Sequence, residues 1–172
     1  MTDRVNPDGA SWIVRELTRR HLGIAVAESL TGGLLAAEFV SVPGASATFA
    51  GGIVVYNTEL KHTLLGVDAD LLATHGPVHP DVAAQMARGV RSRLAIGGRA
   101  VDIGLSTTGV AGPGAQDGHS AGTVFCGIAI AGETQLLELH LQGDREAIRL
   151  RVVSELLARV ENILGRSGPP GG

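Results

Sequence analysis

The chain has 172 residues, of which 44% are hydrophobic and 18% charged, enough to bury one sizeable core but too few for a comfortable second domain. We therefore predict a single domain over residues 9–164, with disordered tails at 1–8 and 165–172. The formal charge of −3 and the scattered placement of the 14 Lys and Arg residues leave no basic stripe, which argues against extended binding to nucleic acid and favours a small-molecule ligand.

Helices and strands alternate in the first part of the chain. Apolar residues at helical spacing predict a helix from Asp8 to His21, and a buried strand follows over Ile24 to Ala27. After a turn at Ser29, a second helix is predicted from about Thr31 to Val40. The β-branched residues of Gly51 to Asn57 are typical of a central strand.

Three further helices are predicted before the next strand. Thr58 is a candidate cap for the first, and Asp68 to Ala73 forms the second. Gly76-Pro77 breaks that helix, and His79 to Ala95 forms the third, with Pro80 in its first turn.

The second half of the chain predicts antiparallel strands. Val101 to Ser106 is a strand, and the long glycine-rich connection Thr107 to Ala121 has no apolar period. Two alternating stretches then flank a two-residue turn at Gly132-Glu133, which predicts a hairpin. These stretches are Gly122 to Ala131 and Thr134 to Gln142.

A final helix is predicted from about Asp144 to Ile163. We therefore expect a three-layer α/β/α sandwich with a mixed sheet of about five strands and a functional edge at the carboxyl ends of the strands. The sequence shows no long apolar span and no secretory signal, so we expect a cytoplasmic protein without a membrane partner.

Polar residues stand where three of the predicted strands end. They are Glu28-Ser29, Tyr56-Asn57 and Thr107-Thr108. Because these strand ends should meet at one edge of the sheet, we expect the side chains to converge there.

Ser29 is a candidate nucleophile with Lys61 as its base. Serine attacks poorly unless a neighbour takes its proton, and none of the six histidines lies close to these strand ends in the sequence. A lysine can do so once burial or a nearby charge lowers its pKa. The alternatives are that Ser29 only caps a helix and that Lys61 is a solvated helix residue. Glu28 could orient Lys61 or Thr31, or cap a helix.

The stretch Thr107 to Gly114 offers hydroxyls and glycine-flanked amides of the kind that cradle a phosphate. It lacks the spacing of a Walker motif or a dinucleotide fingerprint, so an ordinary loop is an equal alternative. Arg145, at the start of the last helix, could bind a phosphate or pair with a surface carboxylate.

No metal cofactor is expected. His75 and His79 are four residues apart, but Gly76-Pro77 prevents the helix that would place them on one face. No other cluster has zinc spacing. Cys126 lies in an apolar strand, where a buried and unreactive thiol is the expected state.

Four ordered segments together resemble the CinA C-terminal domain family over roughly Val14 to Leu164. They are Ala27 to Gly33, Gly52 to Lys61, Thr108 to Gly114 and Gly143 to Arg145. The resemblance implies hydrolysis of the carboxamide of nicotinamide mononucleotide, to nicotinic acid mononucleotide and ammonia, without a metal.

The resemblance also implies roles for single residues. Ser29 matches the family's proposed nucleophile, Lys61 the lysine paired with it, and Tyr56 an aromatic residue near the substrate. Further substrate contacts are expected at Glu28, Thr31, Gly32, Gly33, Asn57, Thr107, Thr108, Gly109, Gly112 and Arg145.

This sequence departs from the family pattern in two places. The segment that usually reads Val-Ser-Glu-Glu is Val78 to Asp81 here, and Gln116 to Ser120 replaces the usual approach to Gly122-Thr123. Many members also carry an N-terminal domain similar to molybdopterin-binding proteins, and we expect the form that lacks it.

Two rival functions stay open at this point: an amidase of another phosphorylated amide, and a nucleotide-binding module without turnover. A homo-oligomer and ordinary core packing are equal explanations for an excess of leucines in one region. These leucines are Leu64, Leu65, Leu71 and Leu72.

Overall fold

The computed structural model describes residues 7–166, which form six α-helices, one short 3-10 helix and five strands. The helices are α1 (Pro7–Arg20), α2 (Leu34–Val40), α3 (Thr58–Leu65), α4 (Ala69–His75), α5 (Pro80–Arg93) and α6 (Arg145–Ile163), and the 3-10 helix is Ala45–Ala47. The strands are β1 (Ile24–Glu28), β2 (Phe49–Val54), β3 (Ile103–Gly109), β4 (Thr123–Ile130) and β5 (Glu133–His140). Of the predicted disordered tails, residues 1–6 and 167–172 lie outside the described residues, whereas Pro7 and Asp8 belong to α1, so the tail predicted over 1–8 is wrong at its last two residues.

The strands form one mixed sheet in the order β2-β1-β3-β4-β5. β1 is parallel to both β2 and β3, whereas β3, β4 and β5 are antiparallel to one another. The predicted α/β fold with a mixed five-stranded sheet is confirmed. The carboxyl ends of β1, β2 and β3 therefore meet at one edge of the sheet.

The interior strand β1, which lies between β2 and β3, contributes to cores on both faces of the sheet. Ile24 and Val26 pack into a cluster with α1, α2 and α6, whereas Ala25 and Ala27 pack into a second cluster with α3 and α5. This alternation follows from the two-residue period of a strand that is covered on both sides. The result is the expected three-layer sandwich.

Helix α5 lies very close to the sheet because the residues beneath it have no side chains. A Cβ atom added at Gly104 would lie 2.0 Å from the Ala87 carbonyl oxygen, and one added at Gly127 would lie 2.5 Å from the Ala83 carbonyl oxygen. The Ser106 hydroxyl donates to that Ala83 oxygen at 2.6 Å. This hydrogen bond fixes the distance between α5 and β3.

Two predictions about the elements that follow the Ser29 turn are wrong. The strand expected over Gly51 to Asn57 is β2, which ends at Val54 and lies at the edge of the sheet. Its β-branched residues suit a pleated surface at any position in a sheet. Helix α2 begins at Leu34 rather than Thr31, because Gly32 and Gly33 have φ values of 59° and 101°.

Three smaller predictions are also corrected. Asn57, not Thr58, caps α3, since its side-chain oxygen accepts from the Glu59 N–H at 2.9 Å. Thr107 and Thr108 lie within β3 rather than in the loop that follows it. The hairpin turn is Ala131-Gly132, one residue earlier than predicted, and both residues have positive φ.

Core packing explains most of the leucines in α3 and α4. Leu65 is buried, and Leu71 and Leu72 pack partly against the core, but Leu64 is 42% exposed. Packing thus explains three of the four, and the oligomer stays a prediction. None of the helices in the described part of the chain has the length and apolar character needed to cross a membrane.

Candidate active site

The structure brings Ser29 and Lys61 together at the carboxyl edge of the sheet. Lys61 Nζ donates a hydrogen bond to Ser29 Oγ at 3.1 Å. Ser29 follows β1 directly, and its N–H extends the pairing with β3 by donating to the Thr107 carbonyl at 3.0 Å. The chain then turns, with the Gly32 N–H bound to the Ser29 carbonyl at 3.1 Å. Ser29 is therefore the first residue after the end of β1.

Lys61 is held in α3 as a nearly enclosed cation. It is the only lysine of the chain, and it is 1% exposed. Its Nζ also donates to the Val55 carbonyl at 2.8 Å, and within residues 7–166 no carboxylate forms an ion pair with it. Burial lowers the pKa of Lys61 from 10.5 to about 8. A useful fraction of the amine is therefore neutral near physiological pH.

The Glu28 carboxylate caps α2 and does not contact Lys61. One carboxylate oxygen accepts from the N–H groups of Gly33 and Leu35 at 3.0 and 3.1 Å, and the other accepts from Ala36 at 2.8 Å. These are the unpaired donors of a helix N-terminus, where a negative charge is also favoured. Of the three roles considered for Glu28, the structure supports the cap, and the expected substrate contact stays a prediction.

Two more side chains fix the turn between β1 and α2. The hydroxyls of Thr31 and Thr107 lie 2.8 Å apart in a buried pair. Arg149 of α6 donates from Nε to the Leu30 carbonyl and from Nη2 to the Thr31 carbonyl, both at 2.9 Å. Sequence reasoning missed Arg149, because one arginine on a helix is usually a surface residue.

Six of the predicted site residues line one cleft. They are Ser29, Tyr56, Lys61, Thr108, Gly109 and Arg145. The other seven predicted site residues do not line this cleft, although each lies in or beside a segment that contributes a lining residue. They are Glu28, Thr31, Gly32, Gly33, Asn57, Thr107 and Gly112.

Arg145 and Tyr56 form the exposed mouth of the cleft. Arg145 Nη2 donates to the Tyr56 hydroxyl at 3.0 Å, and Nη1 donates to the Gly112 carbonyl at 2.8 Å. Asp144 caps α6 by accepting from the Ala147 N–H at 2.8 Å, which places Arg145 in the first helical turn. Of the alternatives considered for Arg145, a surface carboxylate partner is absent among the ion pairs of the described residues.

Thr108 and Gly109 form the wall of the cleft on β3. The Thr108 hydroxyl donates to the Pro77 carbonyl at 2.6 Å, which ties the loop before α5 to the sheet edge. A Cβ atom at Gly109 would lie 2.6 Å from the Thr123 carbonyl oxygen. The glycine is therefore required by packing against β4, whether or not a phosphate approaches it.

Sequence reasoning missed six residues that line the cleft. They are Leu30, Thr58, Pro77, Val78, Ala111 and Gln116. Leu30, Thr58 and Ala111 are direct neighbours of predicted residues and could have been inferred from that. Pro77 and Val78 belong to a loop whose approach to the site depends on the tertiary fold. Gln116 lies in the segment that departs from the family pattern.

The described residues contain no group of three or more His, Cys, Asp or Glu side chains arranged to hold a metal ion. His75 ends α4 and His79 caps α5, with their rings 4.7 Å apart. Gly76-Pro77 therefore separates two helices, as predicted. Cys126 is buried as expected, and burial raises the pKa of its thiol to about 12.

Comparison with known sequences identifies one family. The model of the CinA C-terminal domain matches residues 8–164. A CinA-like protein of Frankia casuarinae is 49% identical over 148 residues, which are 86% of this chain and 33% of the relative. A putative competence-damage inducible protein of Halothermothrix orenii is 45% identical over 135 residues, 77% of this chain and 32% of the relative. The chain spans about a third of the length of these relatives.

Solved structures show the same architecture. A CinA superfamily protein from Klebsiella pneumoniae has a TM-score of 0.87 and 29% sequence identity, covering 94% of this chain and 99% of that one. A competence/damage inducible protein from Agrobacterium tumefaciens also has a TM-score of 0.87 and 29% identity, covering 96% of this chain and 99% of that one. Both the α/β fold and the sequence resemblance are thereby confirmed.

Proposed function

The chain belongs to the CinA C-terminal domain family, and we propose that it is an amidohydrolase that converts nicotinamide mononucleotide to nicotinic acid mononucleotide and ammonia. The observation that carries the proposal is the 3.1 Å contact between Ser29 Oγ and the buried amine of Lys61. The resemblance of the site segments to that family supports the choice of substrate. Recycling of pyridine nucleotides in the cytoplasm is the corresponding role.

The first step of the proposed reaction is acyl transfer to Ser29. The neutral Lys61 amine accepts the proton of the Ser29 hydroxyl as Oγ forms a bond to the carboxamide carbon. The protonated lysine then gives this proton to the departing nitrogen. The carbon–nitrogen bond breaks, ammonia leaves, and the nicotinoyl group remains as an ester of Ser29.

The second step is hydrolysis of this ester. A water molecule gives a proton to Lys61 while its oxygen adds to the ester carbon. The bond to Ser29 Oγ breaks, and the serine takes the proton back from the lysine. The product is the carboxylic acid, and both residues return to their starting protonation states.

Backbone N–H groups of the turn after Ser29 are the candidate oxyanion donors. Within residues 7–166, the N–H groups of Leu30 and Thr31 donate to no protein acceptor. Both follow the nucleophile directly, and an unpaired donor beside a nucleophile is suited to a negatively charged oxygen. Each donor of this kind contributes about 3 kcal/mol in comparable enzymes. The Thr108 hydroxyl already donates to Pro77, so it is a weaker candidate.

The ribose phosphate would bind at the mouth of the cleft. Arg145 offers a guanidinium that forms no ion pair with a carboxylate of residues 7–166, and Tyr56 offers an exposed ring beside it. A guanidinium matches a phosphate in charge and in fork geometry. Binding energy from the phosphate would then hold the carboxamide against Ser29, so free nicotinamide should be a poor substrate.

The test is a mass-spectrometric assay of purified protein with nicotinamide mononucleotide, in the presence of a chelator. We expect a one-unit mass increase from deamidation, its loss by several orders of magnitude in Ser29→Ala, and full activity in Ser92→Ala, which changes an exposed serine of α5. Binding without turnover by the wild-type protein would instead support a nucleotide-binding module. Release of ammonia from another phosphorylated amide alone would correct the substrate.

A further inference from the structure

Arg149 is a half-buried cation that is bound to the main chain of the nucleophile turn. Its guanidinium donates to the carbonyl oxygens of Leu30 and Thr31, the two residues that follow Ser29. We infer that Arg149 is a positioning residue that holds these peptide groups so that the Thr31 N–H is directed at the oxyanion formed during attack by Ser29. This inference rests on the proposed amidohydrolase function.

The geometry of a trans peptide links the carbonyl that Arg149 binds to the donor that the reaction needs. The Leu30 carbonyl and the Thr31 N–H belong to one planar peptide group and point in opposite directions. When Nε fixes the Leu30 oxygen at 2.9 Å, it also fixes the Thr31 N–H on the side away from the guanidinium. Rotation of this peptide would break the bond to Arg149.

The Thr31 N–H is a donor with no protein acceptor in the described residues, although Thr31 is fully buried. Buried main-chain donors are almost always paired, so an unpaired one beside a candidate nucleophile indicates a place for a ligand atom. The side chain of Thr31 does not compete for this role, since its hydroxyl is paired with that of Thr107. The side chain of Thr31 and the carbonyl groups of Leu30 and Thr31 are therefore bound, whereas the Thr31 N–H, like that of Leu30, has no acceptor within residues 7–166.

Charge adds to the effect of position. Among residues 7–166, Arg149 forms no ion pair with a carboxylate, so its positive charge is not neutralised locally. Hydrogen bonds to a charged donor polarise the two peptide groups, which makes their N–H groups stronger donors. A positive charge behind the turn also favours the negative charge that develops in front of it.

Helix α6 places two arginines on the same side, one turn apart. Arg145 reaches the mouth of the cleft, and Arg149, four residues later, reaches the nucleophile turn. The same face of the helix continues into the core with Val152 and Leu156, among others. One rigid helix thus supports both the candidate phosphate contact and the candidate oxyanion donor.

If Arg149 had a purely structural role, its replacement would affect stability and kcat differently from the loss of a positioning residue. If its bonds only stabilised the turn, its removal would lower the unfolding temperature and the amount of active protein. It would leave the turnover of the folded fraction intact. If Arg149 positions the Thr31 N–H, the loss falls on kcat, because the oxyanion forms only after the substrate is bound.

The test compares Arg149→Ala and Arg149→Lys with the wild type, using nicotinamide mononucleotide as substrate. We expect kcat to fall about 10- to 100-fold in Arg149→Ala with KM changed less than about threefold, since a direct donor is worth about 100- to 1,000-fold. The kcat of Arg149→Lys should lie between that of Arg149→Ala and that of the wild type. Millimolar guanidinium should restore part of the activity of Arg149→Ala in a saturable manner.

Arg151→Ala is the matched control, because Arg151 lies on the same helix and its ion pair is with Glu155, away from the nucleophile turn. Its kcat should equal that of the wild type. An active wild type with unchanged kcat in Arg149→Ala, or a loss matched by the unfolded fraction without rescue by guanidinium, would overturn this inference alone. An inactive wild type would overturn the proposed function and the inference with it.

Discussion

The buried amine of Lys61 should make the stability of the protein depend on pH in a way that a single substitution removes. The folded protein lowers the pKa of Lys61 from 10.5 to about 8, because burial disfavours the charged form. In Lys61→Met, a side chain of similar length and no charge replaces it. All other ionisable groups are shared by the two proteins, so the difference between them isolates this one titration.

The sign follows from which state holds the proton. Between pH 8 and 10.5 the unfolded chain keeps the Lys61 proton while the folded protein has lost it, so the wild type becomes more stable as pH rises through this window. The shift from 10.5 to about 8, at 1.36 kcal/mol per unit, amounts to about 3 kcal/mol. Below pH 7 both the folded and the unfolded wild type hold the Lys61 proton, so the full cost of burying this charge is present. Relative to Lys61→Met, the wild type is therefore less stable there than at pH 10.5.

The assay is urea denaturation of both proteins from pH 6 to 11, with Arg151→Met as a control for the loss of an exposed cation. The difference in unfolding free energy between Lys61→Met and the wild type should be constant below pH 7. It should then change by about 3 kcal/mol in favour of the wild type by pH 10.5. A difference that does not vary with pH would show that Lys61 titrates normally and would refute the reasoning.

Three other predictions follow from the site and its support. Because Lys61 is the only lysine, protein labelled with carbon-13 at the lysine Cε should give one resonance that titrates near pH 8, and kcat/KM should rise with pH through the same value. Arg145→Ala should raise KM for nicotinamide mononucleotide at least about tenfold with a smaller effect on free nicotinamide, and equal effects on both would contradict a phosphate contact. Gly104→Ala should lower the unfolding free energy by about 3 kcal/mol, whereas Gly114→Ala, with open space around it, should change it little in the same denaturation assay.

The fold was accessible from the sequence because its local signals agree with its tertiary contacts. The apolar period of α6 and the buried run of β1 each identify their element, and the hairpin turn was located to within one residue. The position of β2 at the edge of the sheet could not be predicted from local sequence signals. β-branched composition indicates a strand without indicating which neighbours it has.

The site was only partly accessible for a related reason. Ser29 and Lys61 follow two neighbouring parallel strands, so topology alone places them at one edge of the sheet. Arg149 binds carbonyl oxygens that lie more than a hundred residues earlier in the chain, and no side-chain motif marks a bond to the main chain. Glu28 is ambiguous in the sequence, because a helix cap and a catalytic carboxylate require the same residue type beside a turn.

The central claim is that Ser29 becomes acylated, and rapid-quench mass spectrometry tests it most directly. Wild-type protein mixed with nicotinamide mononucleotide and quenched in acid within the first turnover should gain the mass of the substrate less ammonia. Peptide mapping should then place that mass on Ser29. Ammonia release at the full rate with no adduct on any residue, or undiminished turnover by Ser29→Ala, would show that water attacks the carboxamide directly and would contradict the account.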